Sequence, residues 1–355
     1  MRRSIRPALW GPVVLLSVSA TLAACGSSGN SGSSGGSPGS SGAASGSLKK
    51  GLKVFVIPKN LGNPYFTTAD SVKSGGALAA LQALGESGSE TSGTAATPSS
   101  QIPAIQAAIT KGANALIVSA TDPAALCPTL KSAMAKGITV ATYDSDAPSC
   151  RNLFVNQAST AQIGTSEVDL LAKEIHDSGQ IAIVSAAASA TNQNQWISYM
   201  KQQLKKYPKM KLVSTVYGND DPTTATQVTQ GLLQHYPNLK GIISPTTVGI
   251  LAAAQVVSSS KYKGKVIVTG LGTPDSMKKY VANGVAPAFE LWNPADLGYL
   301  AAYAAVNYAS KKITNAAGQS FTAGKLGKFT VGSGDSILLG PPFVFNKSNI
   351  NNFNF

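Results

Sequence analysis

From Lys53 onward, short β-branched apolar runs alternate with alanine-rich segments of helix length, and this alternation leaves few architectures open. The runs VFVIP, ALIVSA, ITVATYD, LFVNQ, IAIVSA, KLVSTVYG, GIISP, VIVTG and APAFELW read as strands. They are nearly continuous in apolar residues, the pattern of strands buried on both faces. Between them lie ADSVKSGGALAALQALG, IPAIQAAITKG, CPTLKSAMAKG and IGTSEVDLLAKEIHDSG, which read as helical pieces. Several stop at a glycine just past a polar turn. Such alternation calls for an α/β fold of doubly wound parallel sheets covered by helices. The cycle runs twice, with a first sheet from about 51 to 157 and a second beginning near QIAIVSA. A helix over 297–312 and a strand-rich tail, SILLGPPFVFNKSNINNFNF, close the sequence. The one unclear strand lies around SGSETSGTA, which carries little apolar signal.

The front of the chain follows another logic. Arg2, Arg3 and Arg6 precede an apolar stretch from about Ala8 to Ala24, and small residues lead into Cys25. That is the layout of a secretory signal, since a membrane-spanning helix needs roughly 20 apolar residues. The ending LAAC resembles the bacterial lipoprotein cleavage box, which implies that residues 1–25 form a signal and that Cys25 is lipidated. Residues 26–50 are rich in glycine and serine, with almost nothing to bury, and read as a flexible tether. A lipid would hold the body at a membrane while the tether lets it meet partners there. The remaining ~300 residues are comfortable for two domains.

Hydrophobic residues make up 43% and charged residues 13%, a globular composition. The net charge of +13 raises the question of nucleic acid, but the lysines are scattered, as in KQQLKKYPKMK. With no helix-turn-helix, zinc finger or aromatic-basic RNA motif, no nucleic-acid partner is expected. With Cys25 lipidated, Cys127 and Cys150 remain as an even pair in an oxidising compartment. A bridge between them would contribute about 3 kcal/mol; two buried thiols are the alternative. Neither cysteine has metal-ligand spacing, and no metal or cofactor is expected.

In open α/β sheets, ligands sit beyond the carboxyl ends of the strands. Here those ends are chemically rich. The first run gives way to Lys59, Asn60, Asn63, Tyr65 and Phe66, ALIVSA leads into SATDP, and ITVATYD ends in Tyr143 and Asp144, with Asp146 after it. Later ends lead to TNQNQW (Thr191 to Trp196), to Asn219, Asp220 and Asp221, to Pro245, Thr246 and Thr247, to Gly272 and Thr273, and to Glu290, Trp292 and Asn293. Vicinal hydroxyls are well held by carboxylates and carboxamides, and the C–H face of a sugar ring packs on an aromatic. A neutral polyhydroxyl ligand therefore fits. Taken singly, such residues more often cap the next helix, and Thr191, Asp220 and Thr273 are read that way. The cap explanation weakens for the whole set, which includes both tryptophans of the body.

The segments IPKNLGNPYFTTAD, IVSATDPAALCPTLKSAMAKGITVATYDSDAPSCRNLFVNQ, TNQNQW and FNKSNINNF resemble the solute-binding lipoproteins and periplasmic proteins of sugar ABC transporters. The resemblance covers about Lys53 to Phe355 and lies in the ribose-binding-like group, with its rhamnose-binding and autoinducer-2-binding branch. It implies two lobes joined by a crossover hinge that close on the ligand. The N-terminal lobe would comprise 51–157 and about 294–317, and the C-terminal lobe 158–293 and about 318–355. Lys59, Asp144, Gln193 and Pro245 match positions that hold autoinducer-2 in that branch. Asn192 stands where an aspartate is expected and Thr247 where an alanine is, and SPTTVGI with LWNPADLGYLA looks more like rhamnose binders. The implied ligand set is Lys59, Asn63, Tyr65, Phe66, Asp144, Asn192, Gln193, Trp196, Pro245, Thr247, Trp292 and Asn293. The implied partners are a small sugar and an ABC transporter permease, with the protein a monomer.

Other functions have less support. His176 and His235 lie toward helix ends away from the strand carboxyl ends, and the sequence has no G-x-S-x-G elbow or phosphate-binding loop. GLGTPDS lacks the third glycine of a dinucleotide fingerprint and reads as a turn. Asp144 and Asp146 are too close in sequence to frame a glycosidic bond. An enzyme is not expected. A sensor that presents the same ligand to a membrane receptor would carry identical binding chemistry. A transcription regulator of similar fold would need a DNA-binding headpiece where the signal and tether stand.

Overall fold

The first strand, β1 (Lys53–Ile57), is four-fifths buried and forms the second position of a six-stranded sheet. The structure is a computed structural model that describes residues 47–355. The signal, Cys25 and the tether up to residue 46 lie outside the described residues.

The chain continues through α1 (Pro64–Asp70), α2 (Ala77–Leu84), β2 (Ser87–Glu90), α3 (Pro98–Thr110), β3 (Ala115–Val118), α4 (Pro123–Ala135), β4 (Thr139–Tyr143) and β5 (Leu153–Asn156). It then builds α5 (Thr160–Glu174), β6 (Gly179–Ser185), α6 (Thr191–Gln203), β7 (Met210–Tyr217), α7 (Pro222–His235), β8 (Leu239–Ser244), α8 (Thr247–Ser258), β9 (Ile267–Gly270), α9 (Pro274–Ala282) and β10 (Ala288–Leu291). The last part holds α10 (Pro294–Ala309), β11 (Ser320–Thr322), β12 (Lys328–Thr330), β13 (Ser336–Leu338) and β14 (Phe343–Asn346).

The first sheet runs in the order β2-β1-β3-β4-β5-β13 and is parallel throughout. The second has the order β7-β6-β8-β9, also parallel, and a bridge from Leu271 to Glu290 places β10 beside it. In both lobes the winding reverses beside the first strand of the sheet, β1 or β6, and such a switch point opens a crevice at the carboxyl ends. Residues 47–355 lie in one compact unit, and residues from the strand ends of both sheets line one cavity within it.

Two details depart from the sequence reading, and the one strand it left unclear is present. ADSVKSGGALAALQALG is two helices, because Gly75 takes φ 79° and a Cβ on Gly76 would collide with the Ala69 carbonyl. The weak segment does form a strand, β2, exposed along its length. Gly88 is needed there because α2 lies so close that a Cβ would run into Leu81. The tail is not all C-terminal lobe. β13 extends the first sheet beside β5 with Ile337 buried, and the β11–β12 hairpin lies against α10, which packs on α1 and α2. Only β14 and the residues after it join the second lobe, where Phe345 stacks on Phe289 at 5.3 Å. The chain thus passes between lobes at 157–159, 292–293 and 339–342.

The Cys127–Cys150 pair joins α4 to the loop after β4, with Cα atoms 5.3 Å apart. Among the described residues no helix is long and apolar enough to cross a membrane.

Candidate functional site

Each strand of the switch region delivers one polar group to the space between the lobes. After β1, Lys59 is 4% exposed and reaches Asp144 Oδ2 at 3.5 Å. Asp144 follows β4 with φ 60°, a left-handed conformation that turns its side chain off the strand axis. Ser119, after β3, donates to the same Oδ2 at 2.8 Å, which leaves Oδ1 for a ligand. These strand ends are fastened by Gln101 of α3, fully buried. Its Nε2 donates to the carbonyls of Pro58 and Ser119, and its Oε1 accepts from Thr121.

Asn63 caps α1, accepting from the Tyr65 backbone N–H at 3.0 Å, and also lines the cavity. Pro64 at the first helical position fixes that start. Tyr65 and Phe66 follow, edge to face at 5.1 Å. Burial pushes the Tyr65 hydroxyl well above its ordinary value, and the Asp144 charge adds to this, so it stays a neutral donor. Behind them Tyr143 donates to both oxygens of buried Asp70, whose carboxyl burial raises.

The second lobe faces this with Asn192, Gln193 and Trp196 from the first turns of α6. The Gln193 oxygen accepts from Ser185 Oγ and the Ala186 N–H, both at 2.6 Å, so its nitrogen is oriented to donate outward. Asn192 reaches across to the Asp144 carbonyl at 3.4 Å and accepts from Gln193 N–H. Trp292 donates through Nε1 to Tyr65 Oη at 2.9 Å, a second contact between lobes, and lies 6.2 Å from Trp196. Pro245, Thr246 and Thr247 close the wall from β8 and α8, with Leu271 and Leu291 as apolar neighbours. Together these enclose about 360 Å³ of atom-free space, part of it open to solvent.

Asp220 also lines this cavity. The sequence reading makes it a cap, but Asp221 is the cap, accepting from Thr224 N–H at 2.7 Å. Asp220 takes φ 51°, accepts from Thr246 Oγ1 and is half-buried. Burial raises its carboxyl, partly offset by the Lys59 charge and the Thr246 bond. A signal for this exists in the sequence. Pro222 suits the first helical position, which makes the residue before it, Asp221, the cap and releases Asp220. The same rule disposes of Asn293, which precedes Pro294: it caps α10, accepting from Ala295 N–H at 3.0 Å, and stands outside the cavity. Thr191 is the first residue of α6, not its cap. Thr273 occupies a cap position, but its hydroxyl meets Ser276 Oγ and not a backbone N–H.

The cavity offers one lysine, two carboxyl groups, three carboxamides, hydroxyls and four large aromatics. Such a set grips hydroxyls from several directions and packs an apolar ring face. Among the described residues no group of three or more metal-ligating side chains converges.

Residues 54–313 match the family described as periplasmic binding protein domain. A crystal structure of a sugar ABC transporter from Actinomyces odontolyticus is 41% identical, with TM-score 0.67, covering 86% of this chain and 98% of that one. An ABC transporter solute-binding protein from Clostridium phytofermentas with bound L-rhamnose is 37% identical, with TM-score 0.81, covering 85% and 98%. LsrB from Clostridium saccharobutylicum in complex with AI-2 is 27% identical, with TM-score 0.79, covering 86% and 100%. The D-ribose/D-allose-binding protein of Pseudomonas aeruginosa is 27% identical over 199 residues, 52% of this chain, and the chain spans 60% of that relative's length. With a matched family that extends over both lobes and the cleft between them, the chain belongs to the periplasmic binding proteins.

Proposed function

We propose that this protein is the extracytoplasmic receptor of an ABC-type sugar importer, capturing one monosaccharide between its lobes and passing it to a membrane permease. The observation that carries this reading is the cavity itself: Lys59, Asp144 and Asp220 meet at its centre, and Tyr65, Trp196 and Trp292 stand around them. Hydroxyl-binding groups come from both lobes, so the ligand holds the lobes together. That is how a hinged receptor couples occupancy to shape. The lipid on Cys25 and the tether of 26–50 keep the receptor, a monomer, near its permease.

L-rhamnose is the preferred ligand. It is the sugar bound in the 37%-identical structure, and Leu271, Leu291 and Pro245 give its methyl group an apolar wall. AI-2 is the second reading, favoured by Lys59, Asp144, Gln193 and Pro245 in one cavity. Against it, Asn192 brings a carboxamide already engaged with Asp144 and Gln193 in place of a second carboxylate.

Calorimetric titration of the body from Lys49 onward against L-rhamnose, D-ribose, D-allose and AI-2 decides between them. Micromolar binding of L-rhamnose alone supports the assignment, and binding of AI-2 alone overturns it. No heat from any sugar would remove the sugar-receptor reading. A co-purification that recovers a receptor kinase instead of a permease would move the role from transport to sensing.

A further inference from the structure

A second cavity adjoins the first, behind Asn192 and Trp196, and also encloses about 360 Å³ of atom-free space, part of it open to solvent. The two share Asp144, Asn192 and Trp196 as a common wall. Part of that wall is the bond from Asn192 Nδ2 to the Asp144 carbonyl, which at 3.4 Å is long and easily released.

The lining of the second cavity is as rich in hydrogen-bonding groups as the first and much less committed. Asp146 is occupied by Arg151, Thr142 and the Ala147 N–H. Asn156, Thr160 and Gln195, by contrast, have side chains that make no hydrogen bond among the described residues. Gln157 is the strongest observation. It is 1% exposed, and its Oε1 has no hydrogen-bond partner among the described residues. A buried carboxamide left without a partner costs about 1–3 kcal/mol, which a bound hydroxyl would relieve. The aromatic faces of Phe154 and Trp196 border the same space. Both lobes contribute, Asn156 from β5 and Gln195 from α6, so an occupant would also favour closure.

We propose that this second cavity is a saccharide subsite, so that the protein takes a disaccharide or glycoside with one ring in each compartment. The proposal rests on the sugar-receptor reading of the first cavity. The first ring lies among Lys59, Asp144 and Asp220, and the second meets Gln157, Asn156, Thr160 and Gln195. The Asn192–Asp144 contact opens to let the glycosidic oxygen through.

The test is calorimetric titration with L-rhamnose, methyl α-L-rhamnoside and α-linked rhamnosyl-rhamnose disaccharides. One disaccharide binding about tenfold or more tightly than L-rhamnose supports the subsite, the gain expected from about 1.4 kcal/mol of new contacts. Gln157→Ala and, on the exposed surface of α6, Gln195→Ala then lower disaccharide affinity toward that of L-rhamnose and leave L-rhamnose binding unchanged. Gln195→Ala guards against a folding defect at buried Gln157. If L-rhamnose binds but every disaccharide is equal or weaker, the subsite is wrong and the receptor reading stands. If both substitutions weaken monosaccharide and disaccharide alike, the subsite is again wrong. If no rhamnose-based probe binds, the proposal falls together with its assignment of the first cavity.

Discussion

Asp144→Asn isolates the charge at the centre of the cavity while keeping the side chain's volume. In the structure Oδ2 is already engaged by Ser119 at 2.8 Å and Lys59 at 3.5 Å, so the oxygen available to a ligand is Oδ1. One or two ligand hydroxyls donating to a carboxylate there contribute roughly 1.5–3 kcal/mol. At about 1.4 kcal/mol per factor of ten, this corresponds to a loss of ~10- to 150-fold in affinity. Lys59 is not left isolated in the variant, because it also acts on the Asp220 carboxyl. The protein should therefore fold normally, with a thermal midpoint close to that of the wild type. The assay is calorimetric titration with L-rhamnose on both proteins, after matched melting curves. Trp196 and Trp292 both line the cavity, so intrinsic fluorescence gives an independent readout of the same binding. An affinity within about threefold of wild type, with the melt unchanged, would mean that Oδ1 does not meet the ligand. The hydroxyl-binding assignment of Asp144 would then be abandoned.

Other perturbations separate roles that lie side by side. Asp221→Ala removes the α7 cap and is expected to lower stability by ~1 kcal/mol in urea unfolding with ligand affinity unchanged, whereas Asp220→Ala should weaken binding with stability maintained. The opposite pattern would reverse the two roles. Burial pushes the Glu290 carboxyl up to about 8, so the folded chain holds a proton that the unfolded chain releases near 4.5. Stability is then greatest below that lower value and falls toward pH 8 by at most about 1.4 kcal/mol per unit. Glu290→Gln should flatten this slope in melting curves, and an unchanged slope would refute it. Gly298→Ala would drive a Cβ into the Ala69 carbonyl and displace α1, costing about 1–3 kcal/mol and weakening ligand binding with it, as melts and titrations on one sample would show. Cys127→Ser should lower stability by ~3 kcal/mol relative to the oxidised wild type and leave it equal to the reduced wild type.

Much of the fold was legible because buried parallel strands advertise themselves as unbroken apolar runs. β1, β3, β4, β6, β8 and β9 all stand where those runs lie. β2 was obscure for the converse reason: an exposed edge strand under a close helix needs glycine and serine, residues that also spell a loop. The tail failed at a different level. Its strands were visible, but sheet membership depends on pairing with distant partners, β13 with β5 and β14 with β10, and no local pattern encodes that. In the site, residues immediately after strands were easy to place as a group and hard to divide between ligand and cap. Asp220 and Asp221 are chemically identical neighbours, and only the proline at 222 distinguishes them.

The three passages between the lobes bear on how the chain acquires its shape. β13 completes the first sheet, yet it is made only after every strand of the second sheet's parallel core. A ribosome that has delivered residues 51–157 has therefore delivered a sheet with one raw edge at β5 and no α10 to cover the face that α10 packs. Closing that edge requires a loop spanning an entire lobe, which is entropically slow. The N-terminal part of the chain is thus held back from its final packing until nearly all of the sequence is available.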